Sequence, residues 1–325
     1  MSMAPAHEHI RLGTRGSPMA LWQARWVADA LRRQHPGLST ELVLIRTAGD
    51  RNRRDPLPRI GGKGLFVKEI EEALWRQEIE LAVHSMKDVP TTLPPGLHLS
   101  AVPPRDDVRD AFVGRDGHRL RDAPSGWRIG TSSLRRRAQL LALRPDLQVQ
   151  DIRGNVDTRL RKMRQGEVDG VVVAAAGMSR LGLQAEITEL LPIEVMLPAV
   201  GQGALGIETV AGHWIDGLLQ ALHDPPTASA VAAERAFLWH LGGGCTVPIA
   251  ALAQCQGAEL HVRGLVSTPD GAHSLHQEIC GPVQEAVQLG ERLAVQMRAQ
   301  GAETILAALQ DDFLPLPGRG DYDAL

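Results

Sequence analysis

Arginine side chains cluster at two places in the middle of the chain. Arg135 and Arg136 follow the sequence Gly-Thr-Ser-Ser-Leu, and Arg153 and Arg159 stand at the two ends of a Gly-Asn-Val-Asp-Thr segment. Guanidinium groups bind carboxylates and phosphates through paired hydrogen bonds. The four arginines therefore favour a ligand with several anionic groups, although a solvated basic face is the alternative for any single arginine run.

Each arginine pair lies at a predicted strand–turn–helix junction. Residues 127–130 and 147–152 are strand-like, and Ser132 or Ser133 occupies the N-cap position of the helix after the first strand. Free backbone N–H groups and the helix dipole attract anions at such a helix start. Because ligands of open α/β sheets bind at the C-terminal ends of the strands, we expect both junctions to contribute to one site.

Two further strand ends carry polar residues suited to the same site. Arg15 and Ser17 follow a predicted strand at 9–14, and Ser17 is the expected cap of the next helix. Lys87 and Asp88 follow the apolar sequence Leu-Ala-Val-His-Ser-Met. A Lys–Asp neighbour pair is usually a surface ion pair of little energetic value. Its position at the end of a strand favours a functional role here.

Three glycines precede Cys245 on a predicted loop between a helix and a strand. A buried, inert thiol and an accessible nucleophile or attachment point are both compatible with this spacing. The segment 47–64 is rich in glycine, proline and arginine, which is typical of either a lid or a plain surface loop.

Composition limits the possible functions of the chain. Its 325 residues, of which 43% are hydrophobic and 22% charged, accommodate two or three globular domains. A net charge of −3 and an aromatic content of 3% argue against binding to nucleic acid or to a membrane surface. Residues 1–11 lack the apolar stretch of a signal peptide, and the longest apolar run, 171–176, is too short to span a bilayer.

Cysteine and histidine usage points to a reducing compartment and to no metal. Cys245, Cys255 and Cys280 form no C-x-x-C pair, and the twelve histidines show no metal-ligand spacing. We therefore expect a cytoplasmic protein without a metal site.

Strands alternate with helices up to about residue 222, which predicts α/β architecture. The apolar run at 170–176 is predicted to be a strand buried in a parallel sheet. Strands at 247–253, 259–266 and 274–279, followed by a helix at 284–300, predict a separate α+β domain. The G-x-G-x-x-G match at 201–206 follows a poor strand, so a tight crossover between domains is favoured over a dinucleotide site.

Seven segments together resemble the porphobilinogen deaminase (hydroxymethylbilane synthase) family. They occur in the order and spacing of that family over roughly residues 9–310. The segments are 14–24, 61–69, 82–90, 130–136, 153–159, 197–204 and 243–248.

The resemblance implies a fold of two α/β domains like the halves of type II periplasmic binding proteins, plus a C-terminal α+β domain. The implied domains are 1–104 with 202–222, then 105–201, then 223–325. The implied activity is the head-to-tail condensation of four porphobilinogen molecules, with loss of ammonia, on a covalently bound dipyrromethane primer. The product is hydroxymethylbilane, passed to uroporphyrinogen-III synthase, and the enzyme is expected to be a monomer. A non-catalytic, two-lobed anion-binding module is the alternative.

The resemblance also implies roles for individual residues. Asp88 is the implied catalytic acid, Cys245 the implied thioether attachment point, and Lys63 part of the lid. The other residues implied to bind the cofactor, together with Asp88, are Lys87, Ser133, Arg135, Arg136, Arg159 and Gly203. The residues implied to bind the substrate or growing chain are Arg15, Ser17, Phe66, Arg153, Arg159, Arg180 and Gln202.

Two positions and one segment depart from the family pattern. Asp157 places a carboxylate between two anion-binding arginines, where a glycine or another small residue is usual. Gly242 replaces a common glutamate, and the segment 51–59 is unusually basic.

Overall fold

The computed structural model describes residues 9–51, 67–242 and 247–313, with side chains described up to residue 49 in the first range and up to 307 in the last. Within these ranges the strands are β1 (His9–Thr14), β2 (Ser39–Leu44), β3 (Leu81–Ser85), β4 (Leu97–Ala101), β5 (Asp110–Gly114), β6 (Arg128–Gly130), β7 (Gln148–Gln150), β8 (Gly170–Ala174), β9 (Glu189–Leu191), β10 (Leu205–Val210), β11 (Ile249–Gln256), β12 (Glu259–Ser267) and β13 (Ser274–Pro282). The helices are α1 (Pro18–Gln34), α2 (Ala48–Arg51), α3 (Lys68–Trp75), α4 (Leu134–Leu143), α5 (Val156–Arg164), α6 (Ala175–Arg180), α7 (Asp216–Leu219), α8 (Pro225–His240), α9 (Ala286–Ala299) and α10 (Ala302–Phe313).

The first sheet has the strand order β2-β1-β3-β10-β4. β1 runs parallel to β2 and β3, and β10 runs antiparallel to β3 and β4. Helix α1 begins where predicted, because the Ser17 side chain accepts a hydrogen bond from the Ala20 N–H at 3.2 Å and Pro18 tolerates the first helical position. Its apolar face, which includes Val27 and Leu31, packs on the sheet.

The second sheet has the strand order β7-β6-β8-β5-β9. The predicted parallel strand at 170–176 needs correction, because β8 ends at Ala174 and α6 begins at Ala175. β8 is also parallel only to β6 and is antiparallel to β5. The central valines are buried whichever direction the neighbouring strands run, so the apolar pattern does not distinguish a parallel sheet from a mixed one.

The third sheet, β11-β12-β13, is antiparallel, and α8 and α9 cover one of its faces. Phe237 of α8 and Leu289 of α9 are fully buried in this core. The predicted fold class is confirmed: two α/β units of mixed sheet and helix, and one α+β unit.

The boundaries of two further elements follow from the structure. β2 starts at Ser39, since its register pairs Ser39 with His9 of β1. The segment before α8 contains only α7 and a following 3-10 turn at Gln220–Leu222. The predicted loop at 47–64 starts with α2, and its residues 52–64 lie outside the described part of the chain.

The chain crosses between the α/β sheets twice. It leaves the first sheet after β4, forms the second from β5 to β9, and returns through residues 201–204 into β10. The crossover expected at the glycines is therefore present. No helix of the described ranges combines the length and apolarity needed to cross a membrane.

Candidate active site

One cavity is lined by residues from both α/β units. The charged side chains lining it come from strand ends and helix starts of the two sheets. Within the described residues they are Arg15, Lys87, Asp88, Arg136, Arg159 and Arg180. Five of these six carry positive charge at neutral pH, so the cavity is suited to an anionic ligand.

Lys87 and Asp88 lie on a 3-10 turn, Met86–Asp88, directly after β3. Burial lowers the pKa of Lys87 to about 8, an effect that the neighbouring Asp88 opposes and that Arg136 reinforces. Gly201 packs against this turn with a positive φ of 69°, and a Cβ there would lie 2.6 Å from the Met86 Cγ. Glycine at position 201 therefore permits the close approach of the crossover to the turn.

The two arginines in the first turn of α4 share a buried carboxylate. Arg135 Nη1 lies 2.7 Å from Asp110 Oδ2, and Arg136 Nη2 lies 2.7 Å from Asp110 Oδ1. Burial favours a higher pKa for Asp110, but the two guanidinium groups outweigh it and hold that pKa well below its usual range. Asp110 is the residue that sequence reasoning missed. A lone acid at the start of an otherwise apolar strand was the signal that could have identified it.

Arg136 lines the cavity, whereas Arg135 and Ser133 do not. Ser133 is the N-cap of α4 and accepts a hydrogen bond from the Arg136 N–H at 3.5 Å. Arg135 is only 4% exposed, and its Nε has no hydrogen-bond acceptor among the described residues. A buried donor without an acceptor is costly, so a ligand carboxylate at this position would stabilise it.

The second arginine junction places Arg159 in the cavity. Arg159 Nε donates to the Gly154 carbonyl at 2.9 Å, and burial together with the charge of Arg136 lowers the pKa of Arg159 to about 10. Arg153 does not line the cavity, but its Nη2 is buried without an acceptor in the described structure. Asp157 is exposed, so its carboxylate does not lie among the cavity cations.

Arg180 joins the second unit to the crossover glycines. Its Nε lies 3.0 Å from Asp106 Oδ2, and its Nη2 donates to the Gly203 carbonyl at 2.7 Å. Gly203 lines the cavity. Gln202, in contrast, is buried behind it, where its Nε2 donates to Asp110 Oδ1 at 2.9 Å.

The remaining predicted residues divide into two groups. Arg15 and Ser17 line the cavity at the start of α1. Lys63, Phe66 and Cys245 lie outside the described residues, as does most of the segment 51–59. No cluster of three or more potential metal ligands occurs in the described ranges.

Comparisons with known proteins find similar sequences over nearly the whole chain and similar solved structures over part of it. The periplasmic aliphatic sulphonate binding protein SsuA from Escherichia coli matches with a TM-score of 0.39 and 17% identity, over 73% of this chain and 70% of that one. The porphobilinogen deaminase of Syntrophotalea carbinolica is 54% identical over 310 residues, which cover 95% of this chain and 98% of the relative. That of Geobacter metallireducens is 52% identical over 306 residues, covering 94% and 95%.

Two family models match consecutive parts of the chain. The model described as "Porphobilinogen deaminase, dipyromethane cofactor binding domain" matches residues 10–214, and "Porphobilinogen deaminase, C-terminal domain" matches residues 228–299. The resemblance predicted from the sequence is thereby confirmed, together with the transferase activity and the dipyrromethane cofactor. These matches show that the chain belongs to the porphobilinogen deaminase family.

Proposed function

We propose that the cavity between the two α/β units is where this transferase condenses porphobilinogen, with Asp88 as its catalytic acid. The observation that carries the proposal is the grouping of five cationic side chains around the Asp88 carboxylate. Each pyrrole of the substrate brings two carboxylates, so a lengthening chain accumulates negative charge. Closely placed cations are needed to hold such a polyacid.

The donor set fits the carboxylates of a dipyrromethane. Arg135 Nε is a buried donor that lacks an acceptor in the described structure. Arg159, whose pKa is lowered to about 10, lies near the charge of Arg136. Carboxylates would satisfy this donor and relieve this repulsion. We propose that the groups holding the cofactor are Lys87, Ser133, Arg135, Arg136, Arg159 and the Gly203 backbone.

The cofactor, when bound, would supply the pyrrole carbon to which the first unit is joined. The chain's own residues orient the reactants and move protons. We propose that Asp88 donates a proton to the leaving amine and then, as a carboxylate, stabilises positive charge. Arg15, Ser17, Arg153 and Arg180 are proposed to bind the carboxylates of the incoming substrate. For Phe66, Lys63 and Gln202 the proposed roles rest on the family resemblance.

The domain boundaries proposed are 1–104 with 202–222, then 105–201, then 223–325. Membership of β10 in the first sheet supports the return of the chain to the first domain. A cytoplasmic monomer that passes its product to uroporphyrinogen-III synthase is proposed from the resemblance and from the cysteine pattern.

The intact mass of the purified protein tests the proposed attachment. We expect an added dipyrromethane mass on the wild-type protein and on the Cys255→Ala and Cys280→Ala variants, and its loss in Cys245→Ala. Release of ammonia and of a linear tetrapyrrole from porphobilinogen should accompany the adduct. A wild-type protein that binds porphobilinogen without adduct or ammonia would instead support the two-lobed binding module.

A further inference from the structure

The turn that follows Asp88 is held by an arginine of helix α8. Arg235 Nη1 donates to the Val89 carbonyl at 3.1 Å, and Nη2 donates to the carbonyls of Pro90 at 2.5 Å and Thr91 at 3.2 Å. These three consecutive carbonyls lie outside any strand. A charged, planar guanidinium fixes their directions more firmly than a single neutral donor could.

Apolar packing from the same face of α8 supports this turn. Val231, one helical turn before Arg235, is 2% exposed and packs in one cluster with Met86 and Val89. Residues four apart lie on the same side of a helix. The polar and apolar contacts of α8 therefore reach the same short segment around Asp88.

The residue next to Arg235 holds the crossover glycine that packs on this turn. Glu234 is fully buried, and its Oε2 accepts a hydrogen bond from the Gly201 N–H at 2.7 Å. Gly201 in turn packs so closely on the turn that a Cβ would lie 3.2 Å from the Lys87 N. Glu234 also pairs with Arg105 of the first crossover, at 2.6 Å.

We propose that Arg235 is a positioning residue for the condensation reaction. Together with Glu234 it holds the Lys87–Asp88 turn from α8, the helix that ends five residues before Cys245 in the sequence. Arg235 thereby sets the position of the acid relative to the unit that carries the cofactor cysteine. The inference rests on the role proposed for Asp88.

The test compares Arg235→Gln with a matched control, Arg144→Gln. Arg144 also donates to three backbone carbonyls, those of Leu120, Arg121 and Ala123, but it does not line the cavity. We expect Arg235→Gln to lower kcat about tenfold or more with KM within about twofold, because the acid is misplaced while the binding cations remain. We expect Arg144→Gln to keep kcat even where its Tm falls by a similar amount.

Two further measurements separate positioning from folding. Intact mass should show that Arg235→Gln still carries the dipyrromethane adduct, and Arg235→Lys should recover part of the lost kcat because it keeps the charge. If Arg235→Gln does not fold, Arg235→Lys replaces it in this test, with a smaller fall in kcat expected and the same limit on KM. The proposal would be overturned if the kcat of Arg235→Gln stayed near the wild-type value. It would also be overturned if that kcat fell only as far as in Arg144→Gln at an equal loss of Tm.

If the role proposed for Asp88 is itself wrong, the kinetic results differ from those of a failed positioning role. If Asp88→Asn keeps normal turnover, the proposed role of Asp88 is wrong whatever Arg235 does. A kcat loss in Asp88→Asn but not in Arg235→Gln rejects the positioning role alone.

Discussion

Arg135 and Asp110, which lie 25 positions apart in the chain, form a fully buried ion pair with an Nη1–Oδ2 distance of 2.7 Å. Arg136 uses the other oxygen of the same carboxylate. A basic residue in the first turn of a helix is normally unfavourable because of the helix dipole. Asp110 supplies the compensating negative charge, and the remaining nitrogen, Arg136 Nη1, donates to the Val172 carbonyl at 3.0 Å.

This pairing predicts that Asp110→Asn strongly destabilises the fold. The substitution leaves two buried guanidinium groups without their counter-charge, which typically costs about 3–5 kcal/mol. Urea denaturation would measure the free energy of unfolding. Asp146→Asn, which breaks the more exposed pair with Arg144, is the control and should cost about 1 kcal/mol or less. Equal losses in the two variants would contradict the structural role of Asp110.

Asp88→Asn is expected to remove most of the turnover without affecting the fold. Loss of a general acid usually lowers the rate by about 10²–10⁴-fold. Steady-state assays should show this fall, while thermal unfolding and intact mass should show a folded protein that retains the cofactor. Asp157→Asn removes an exposed carboxylate near the second arginine junction and should leave kcat unchanged. Near-normal rates in Asp88→Asn would exclude it as the acid.

The lowered pKa of Lys87 predicts that cofactor attachment depends on pH. Its pKa is lowered to about 8, chiefly by burial, so the cofactor-free protein loses this positive charge as the pH rises through 8. Attachment of the cofactor from porphobilinogen should therefore slow above that pH. Lys87→Arg should move the fall to higher pH, since arginine stays charged, and the surface variant Lys162→Arg should not. An identical pH profile in wild type and Lys87→Arg would reject this assignment.

The charge of Arg159 is expected to destabilise the cofactor-free fold and to strengthen ligand binding. Burial and the nearby Arg136 lower its pKa to about 10, so its charge is unfavourable in the cofactor-free fold. Arg159→Gln should raise the Tm of the cofactor-free protein and lower kcat/KM about 10- to 100-fold, through loss of a charged hydrogen bond. Arg164→Gln, on the exposed side of the same helix, is the control for both measurements. A lower Tm in Arg159→Gln would show that this charge is compensated within the protein.

Local features of this chain were determined by the sequence itself. Ser17 and Pro18 predict the start of α1, and the observed cap confirms it, since a cap involves atoms only three residues apart. The arginine junctions and the Lys–Asp turn were placed at strand ends for the same reason. The family motifs led to the transferase activity and the dipyrromethane cofactor.

The tertiary structure alone decided which distant groups meet. β10 inserts antiparallel between β3 and β4, although neither its composition nor its position in the chain specifies those neighbours. The contacts of Asp110 with Arg135 and of Arg235 with Val89 span 25 and 146 positions. Spacing along the chain carries no information about such pairs, because they form only when strands and helices that are distant in sequence pack together.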